Sequence, residues 1–105
     1  MILLTNLIPS GFSGLTVWPF ILIRPDHAND TGLIEHERVH WSEQWRLPVI
    51  WWLLYLIDRN FRVAAEVRAY RVSMEHGMPL DIAARWLMRY DSRLSIDGAM
   101  NKLKG

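Results

Sequence analysis

The chain has 105 residues, half of them apolar and 22% charged, with no cysteine and a formal net charge of +1. A chain of this length supports one small core and buries roughly 60–65% of its unfolded surface, which excludes a multi-lobed enzyme with a separate substrate domain. The lack of cysteine excludes disulfides and thiolate metal sites, and twelve Lys and Arg against eleven Asp and Glu argue against nucleic acid as the partner.

The expected architecture is a single α+β domain, predominantly α, with a short N-terminal β hairpin or edge strand. Residues 1–31 form the β and loop region, residues 32–90 a helical core, and residues 91–105 a tail. The first 23 residues are apolar but lack a basic leading segment and are interrupted by Pro9, Gly11, Gly14 and Pro19, a poor fit to a secretory signal, so a cytoplasmic location is expected. Residues 15–24 (LTVWPFILIR) are rich in β-branched and aromatic types and read as one strand. Pro19 cannot donate to a ladder and pushes that strand to an edge, with residues 1–8 available to pair with it.

The turn formers of residues 25–31 (PDHANDT) precede a helix that is expected to start near Gly32, capped by Asp30 or Thr31, and to run to about Leu47. Pro48 opens or kinks the next segment, residues 47–57 (LPVIWWLLYLI). That run would be ~16 Å long as a helix, about half a bilayer's hydrocarbon thickness, so it cannot span a membrane alone. It is apolar all round and is expected to be the central core helix. After Asp58-Arg59-Asn60 a third helix starts near Phe61 and ends at Gly77, and a fourth covers residues 79–90. From Ser92 onward, Asp97-Gly98 is read as turn chemistry, and the tail is expected to be partly disordered.

Chemistry concentrates in His36-Glu37-Arg38-Val39-His40. Residues four apart share a helix face, so both imidazoles can converge on one cation. Glu37 is then offset enough to miss the ligand set but near enough to act as general base on a bound water. Such a string arises by chance in roughly one chain of this length in several hundred. The plain alternative is a solvated helix face on which Glu35, Arg38 and Glu43 exchange charge contacts.

A tetrahedral catalytic zinc needs a third protein ligand and one open position. Glu66 is the best candidate, because a carboxylate set among Ala64, Ala65, Val63 and Val67 needs a reason to face inward. Ala65 and Ala69 are small enough for its helix to approach the His36/His40 helix closely. His76 is the alternative third ligand, although its place at a helix C-terminus explains it equally well. Glu43 lies on the His36/His40 face one turn too far along to join the ligands, and His27 and Asp26 are expected to be solvated. Tyr70, one turn beyond Glu66, can hydrogen-bond a reacting oxyanion or an imidazole, or can be a core tyrosine with its hydroxyl at the rim.

His36-Glu37-Arg38-Val39-His40-Trp41, then Gln44, an apolar stretch, Asn60-Phe61 and Glu66-Val67-Arg68-Ala69-Tyr70 resemble the gluzincin branch of the zincin metallopeptidases. The likeness is to compact zincin-like proteins of bacteria and phages and covers residues 33–70. The resemblance implies Zn2+ held by His36, His40 and Glu66, Glu37 as catalytic base, a peptide or protein substrate, and an edge strand along which an extended peptide lies, for which residues 15–24 are the available segment. The alternative function is a non-catalytic module, zinc-binding or metal-free, that acts through a Trp-rich surface. Six tryptophans exceed what so small a core encloses, and the surplus can form a homo-oligomer contact, a peripheral membrane anchor rimmed by Arg46 and Arg59, or a groove wall.

Overall fold

Asp30 begins the helical part of the chain: its carboxylate accepts the Leu33 N–H at 3.1 Å and caps the helix that follows. The computed structural model describes all 105 residues. In chain order these are strands β1 (Ile2–Leu4), β2 (Gly14–Val17) and β3 (Phe20–Ile23), then helices α1 (Thr31–Gln44), α2 (Pro48–Ile57), α3 (Arg59–Glu75), α4 (Leu80–Leu87) and α5 (Ile96–Lys104). The fold is α+β and predominantly α.

The three strands form one sheet in the order β1-β3-β2. β1 runs parallel to β3 in the register Ile2↔Ile21 to Leu4↔Ile23. β2 is antiparallel to β3 from Gly14↔Ile23 to Val17↔Phe20. The single strand expected over residues 15–24 is therefore corrected to a hairpin. Pro19 has no N–H to give a ladder, and the chain turns at the cis Trp18–Pro19 bond instead of carrying the proline along an edge. β3 becomes the central strand, with Ile21 and Ile23 buried, and β2 is the edge that lies beside α1.

The helix boundaries have local causes. α1 ends at Gln44 rather than near Leu47 because Pro48 drives the preceding residue out of helical space, and Leu47 has φ −136° and ψ 65°. Pro48 is the first residue of α2, a position where no N–H is needed. Asp58 serves two helices. Its N–H closes α2 on the Leu54 carbonyl at 2.8 Å, and its carboxylate accepts from Phe61 N–H at 3.1 Å, which starts α3 at Arg59. Gly77, at φ +104°, ends α3 with its N–H on the Met74 carbonyl.

Residues 91–105 are not a disordered tail. Ser95 caps α5 by accepting Gly98 N–H at 3.0 Å, so Asp97-Gly98 forms the first turn of a helix, where an acidic residue is favoured. Ala99 and Leu103, four apart on one face, join Val63, Tyr70, Ala83, Ala84 and Leu87 in the apolar core where α3, α4 and α5 meet. This core also corrects the expectation for α2. It is built from α3, α4 and α5 without α2, of which only Trp51 is buried. The aliphatic side of α2, including Val49, Leu56 and Ile57, is exposed. No helix is long and apolar enough to cross a membrane.

Candidate metal centre

Of the twenty buried residues, seven are polar or charged: Thr16, His36, Glu37, His40, Gln44, Glu66 and Ser73. All seven belong to one connected cluster. Isolated buried polar groups cost free energy, and their gathering at the junction of β2, α1 and α3 lets them satisfy one another.

His36 and His40 lie one turn apart on α1, and α3 brings Glu66 against them. Ala65 and Ala69, on either side of Glu66, are both 0% exposed, consistent with small residues letting the two helices close. His36 Nε2 is 3.1 Å from Glu66 Oε1 and His40 Nε2 is 3.3 Å from the same oxygen. The three ligand atoms lie within 4.8 Å of one another, and all three residues are buried. They could hold a metal ion.

The group's surroundings test that fit. The outer nitrogens of both rings have partners: His40 Nδ1 is 3.4 Å from Glu43 Oε1, and His36 Nδ1 is 3.3 Å from Ser73 Oγ, whose hydroxyl lies 3.1 Å from the Gly32 carbonyl. With the Nδ1 atoms as donors to these oxygens, both Nε2 lone pairs face the same carboxylate. Tyr55 donates its hydroxyl to Glu66 Oε2 at 2.6 Å; Oε1 meets both imidazoles, and Oε2 also lies 3.2 Å from His40 Nε2. Ligands ~2.0–2.1 Å from a tetrahedral cation are ~3.3 Å apart, close to the separations that Oε1 makes with the two Nε2 atoms. Two imidazoles and a carboxylate in this arrangement fit a borderline divalent cation.

Glu37 stands beside this set. The Thr16 hydroxyl lies 2.8 Å from Glu37 Oε1 and 2.9 Å from the Glu37 carbonyl. Oε2 is thereby turned toward the ligands, 3.9 Å from His36 Nε2. Gly14 permits this approach, because a Cβ there would lie 3.2 Å from Glu37 Cγ and 3.1 Å from Ile23 Cδ1.

Electrostatics tie the cluster together. Burial is the strongest single influence on His40 and lowers its pKa, but the Glu66 charge, hydrogen bonds to Glu43 and Glu66 and the Glu37 charge together outweigh it and push it up to about 10. Burial would raise Glu66, yet the His40 charge and the hydrogen bonds of both imidazoles hold it well below the ordinary carboxylate range. Burial, with Glu66 adding to it, raises the Tyr55 phenol, so Tyr55 stays a donor. Protons and a cation thus compete for the same nitrogens.

The cluster opens on a cleft of about 550 Å³ whose walls include Leu15, Trp51, Trp52, Tyr55, Arg62 and Tyr90. Tyr70 is not part of that wall. Its ring sits edge-on to His36 with centroids 4.4 Å apart, and it lines a smaller cavity of about 160 Å³ on the other side of Glu37. Burial raises the Tyr70 phenol, with Tyr90 and Glu66 contributing. His76 is exposed at the end of α3, with Nδ1 3.0 Å from the Val72 carbonyl, and takes no part in the group. Asp26 is exposed, and His27 pairs with Asp30 at 3.5 Å.

β2 is the edge strand beside α1, but part of its outer edge is occupied. The Gln44 carboxamide accepts Trp18 N–H at 2.9 Å and donates to the Thr16 carbonyl at 3.0 Å, which are the bonds a neighbouring strand would make. Thr16, Gln44, Tyr55 and Ser73 are the cluster members that sequence reasoning did not assign. Gln44 carried a signal, being one turn beyond His40, as did Ser73, two turns beyond Glu66; Thr16 and Tyr55 carried none. No family model, curated protein or solved structure matches this chain, and the geometry alone carries the functional reading.

Proposed function

We propose that this protein is a zinc-dependent hydrolase of the zincin type that cleaves a peptide bond in a peptide or protein substrate. The observation that carries the proposal is the convergence of His36 Nε2 and His40 Nε2 on Glu66 Oε1 beside a carboxylate, Glu37, whose second oxygen faces the same point. His36, His40 and Glu66 would hold the cation, which when bound acidifies water and polarises a carbonyl.

The chain's own residues do the rest. Glu37 Oε2 accepts the proton of the attacking water and returns it to the nitrogen of the departing amine, while Thr16 keeps Oε1 engaged so that the carboxylate does not rotate away. Glu43 and Ser73 orient the two imidazoles. Tyr90, on the cleft wall, is a hydroxyl donor within the space a substrate would enter, while the Tyr55 hydroxyl is committed to Glu66. The Trp51 and Trp52 rings give that wall an apolar surface suited to a hydrophobic side chain.

Elemental analysis of protein purified without added metal, paired with peptide-library digestion read by mass spectrometry, tests the reading. We expect zinc at one equivalent, and loss of turnover by at least ~10²-fold in Glu37→Gln with zinc retained. Iron in place of zinc, or undiminished cleavage by Glu37→Gln, rejects it. The rival interaction module predicts no cleavage of any library member by the wild-type protein.

A further inference from the structure

α2 has two unlike sides. Trp51, Trp52 and Tyr55 line the cleft, whereas Val49 (72% exposed), Ile50, Leu53, Leu54, Leu56 (66%) and Ile57 (79%) face solvent. At ~100° per residue these six aliphatics fall within an arc of about 160°. No polar side chain interrupts them, since α2 contains only Pro, Val, Ile, Trp, Leu and Tyr.

We infer that this stripe docks on a lipid bilayer surface, with α2 lying in the plane of the interface and the cleft opening beside the headgroups. The exposed aliphatic area is on the order of 600 Å², at the upper end of the ~300–600 Å² that the largest apolar patch of a soluble monomer reaches, a size that is often functional. It falls short of the ~800 Å² per partner of a standard protein interface, so a second copy seated on the stripe alone makes a weak dimer.

The ends of the helix fit the same occupant. Arg46 precedes α2 and stacks over the half-exposed Trp45 at 5.0 Å, placing an indole and a guanidinium where headgroups meet acyl chains. Arg59 and Arg93 border the other end. Asp58 and Asp91 are the acidic groups there; Asp58 is turned to the Phe61 N–H, and Asp91 to the Arg93 N–H and both guanidiniums. The uninterrupted aliphatic face would supply apolar burial and the arginines at its ends headgroup contacts, and ten residues are too few to span the bilayer. Where the hydrolase reading also holds, and resting on it, the substrates are chains presented at a membrane surface.

The test is co-sedimentation of the full chain with unilamellar vesicles of phosphatidylcholine and phosphatidylglycerol at 3:1, with chelator present so that the outcome is independent of any cation. We expect the wild-type protein to partition onto the vesicles and Leu53→Lys/Ile57→Lys to lose at least tenfold in partition coefficient. Because both positions are solvent-exposed, the variant's circular dichroism and zinc affinity should match wild type. Equal partition of variant and wild type overturns the inference. So does a wild-type protein that stays off vesicles, including one that self-associates in sedimentation equilibrium through the same two residues. Failure of the vesicle experiment leaves cation binding untouched, and absence of zinc leaves the vesicle result untouched.

Discussion

Replacing Glu66 with Gln separates the cation reading from that of an internally satisfied polar cluster. Glu66 is 3% exposed and meets Tyr55 at 2.6 Å and the two imidazoles at 3.1 and 3.3 Å. The amide keeps the shape and one acceptor for Tyr55 but removes the charge that balances His40. Removing one charge from a buried pair costs 3–5 kcal/mol, and the retained acceptor places this case at about 3 kcal/mol. With a urea m-value of about 1.5 kcal/mol/M, the midpoint of the cation-free protein should fall by roughly 2 M. Zinc then discriminates. At free zinc one hundred times its Kd the wild type should gain about 2.7 kcal/mol, again roughly 2 M in midpoint. Glu66→Gln should gain nothing measurable at that concentration. The assay is urea unfolding followed by tryptophan fluorescence, with Trp51 as a local reporter because its ring lies 5.5 Å from His40. An equal zinc-induced shift in both proteins, or none in the wild type, refutes the assignment of Glu66 as a ligand.

Three further outcomes are expected. Tyr55→Phe frees Glu66 Oε2 from its donor and should weaken zinc binding by about 10–100-fold in competition with a chromophoric chelator; unchanged affinity would deny Tyr55 a positioning role. The cation-free protein should be most stable between about pH 4.5 and 6.5, because His40 and Glu66 report one interaction from two sides. The raised His40 pKa means stabilisation that is full below the ordinary histidine value of 6.5 and lost as pH rises toward about 10. The lowered Glu66 pKa means stabilisation present above about 4.5 and lost as pH falls further. Thermal unfolding across pH in the presence of chelator checks both limbs, and a flat profile contradicts the pairing. Leu103→Ala, in a side chain only 3% exposed, should cost 2–5 kcal/mol. A loss under 1 kcal/mol in urea titration would mean that α5 does not belong to the core.

The approach of His36, His40 and Glu66 to one another was readable because a shared-ligand reading imposes spacing. The four-residue step from His36 to His40 fixes a face whatever the fold, and Glu66 stands out because a carboxylate among alanines and valines has no cheap place in a helix interior. The support around them was less readable. Tyr55 reaches Glu66 across eleven positions and Thr16 reaches Glu37 across twenty-one, through tertiary contacts that no local periodicity encodes. A short N-terminal β element was expected, but the turn inside residues 15–24 was missed because they carry strand composition throughout, and Pro19 fits either an edge or a turn until the partner strand is known. α5 was missed because Asp97-Gly98 has turn composition, while the Ser95 cap and the Ala99/Leu103 pair make a helix only once α3 and α4 offer a surface. α2 was misread for the opposite reason: uniform apolarity announces burial, but the core is closed by Val63, Tyr70, Leu87, Leu103 and three alanines from α3, α4 and α5, and α2 lies outside it.

Gln44 has a consequence for self-association. By supplying an acceptor to Trp18 and a donor to Thr16 it blocks part of that margin of the sheet against a stranger's backbone, so growth of the sheet by a second molecule is favoured at β1 on the opposite margin. There only Ile2–Leu4 are on offer, a template three residues long. So short a template holds an incoming strand poorly, and the sheet resists fibre-like stacking despite its apolar composition.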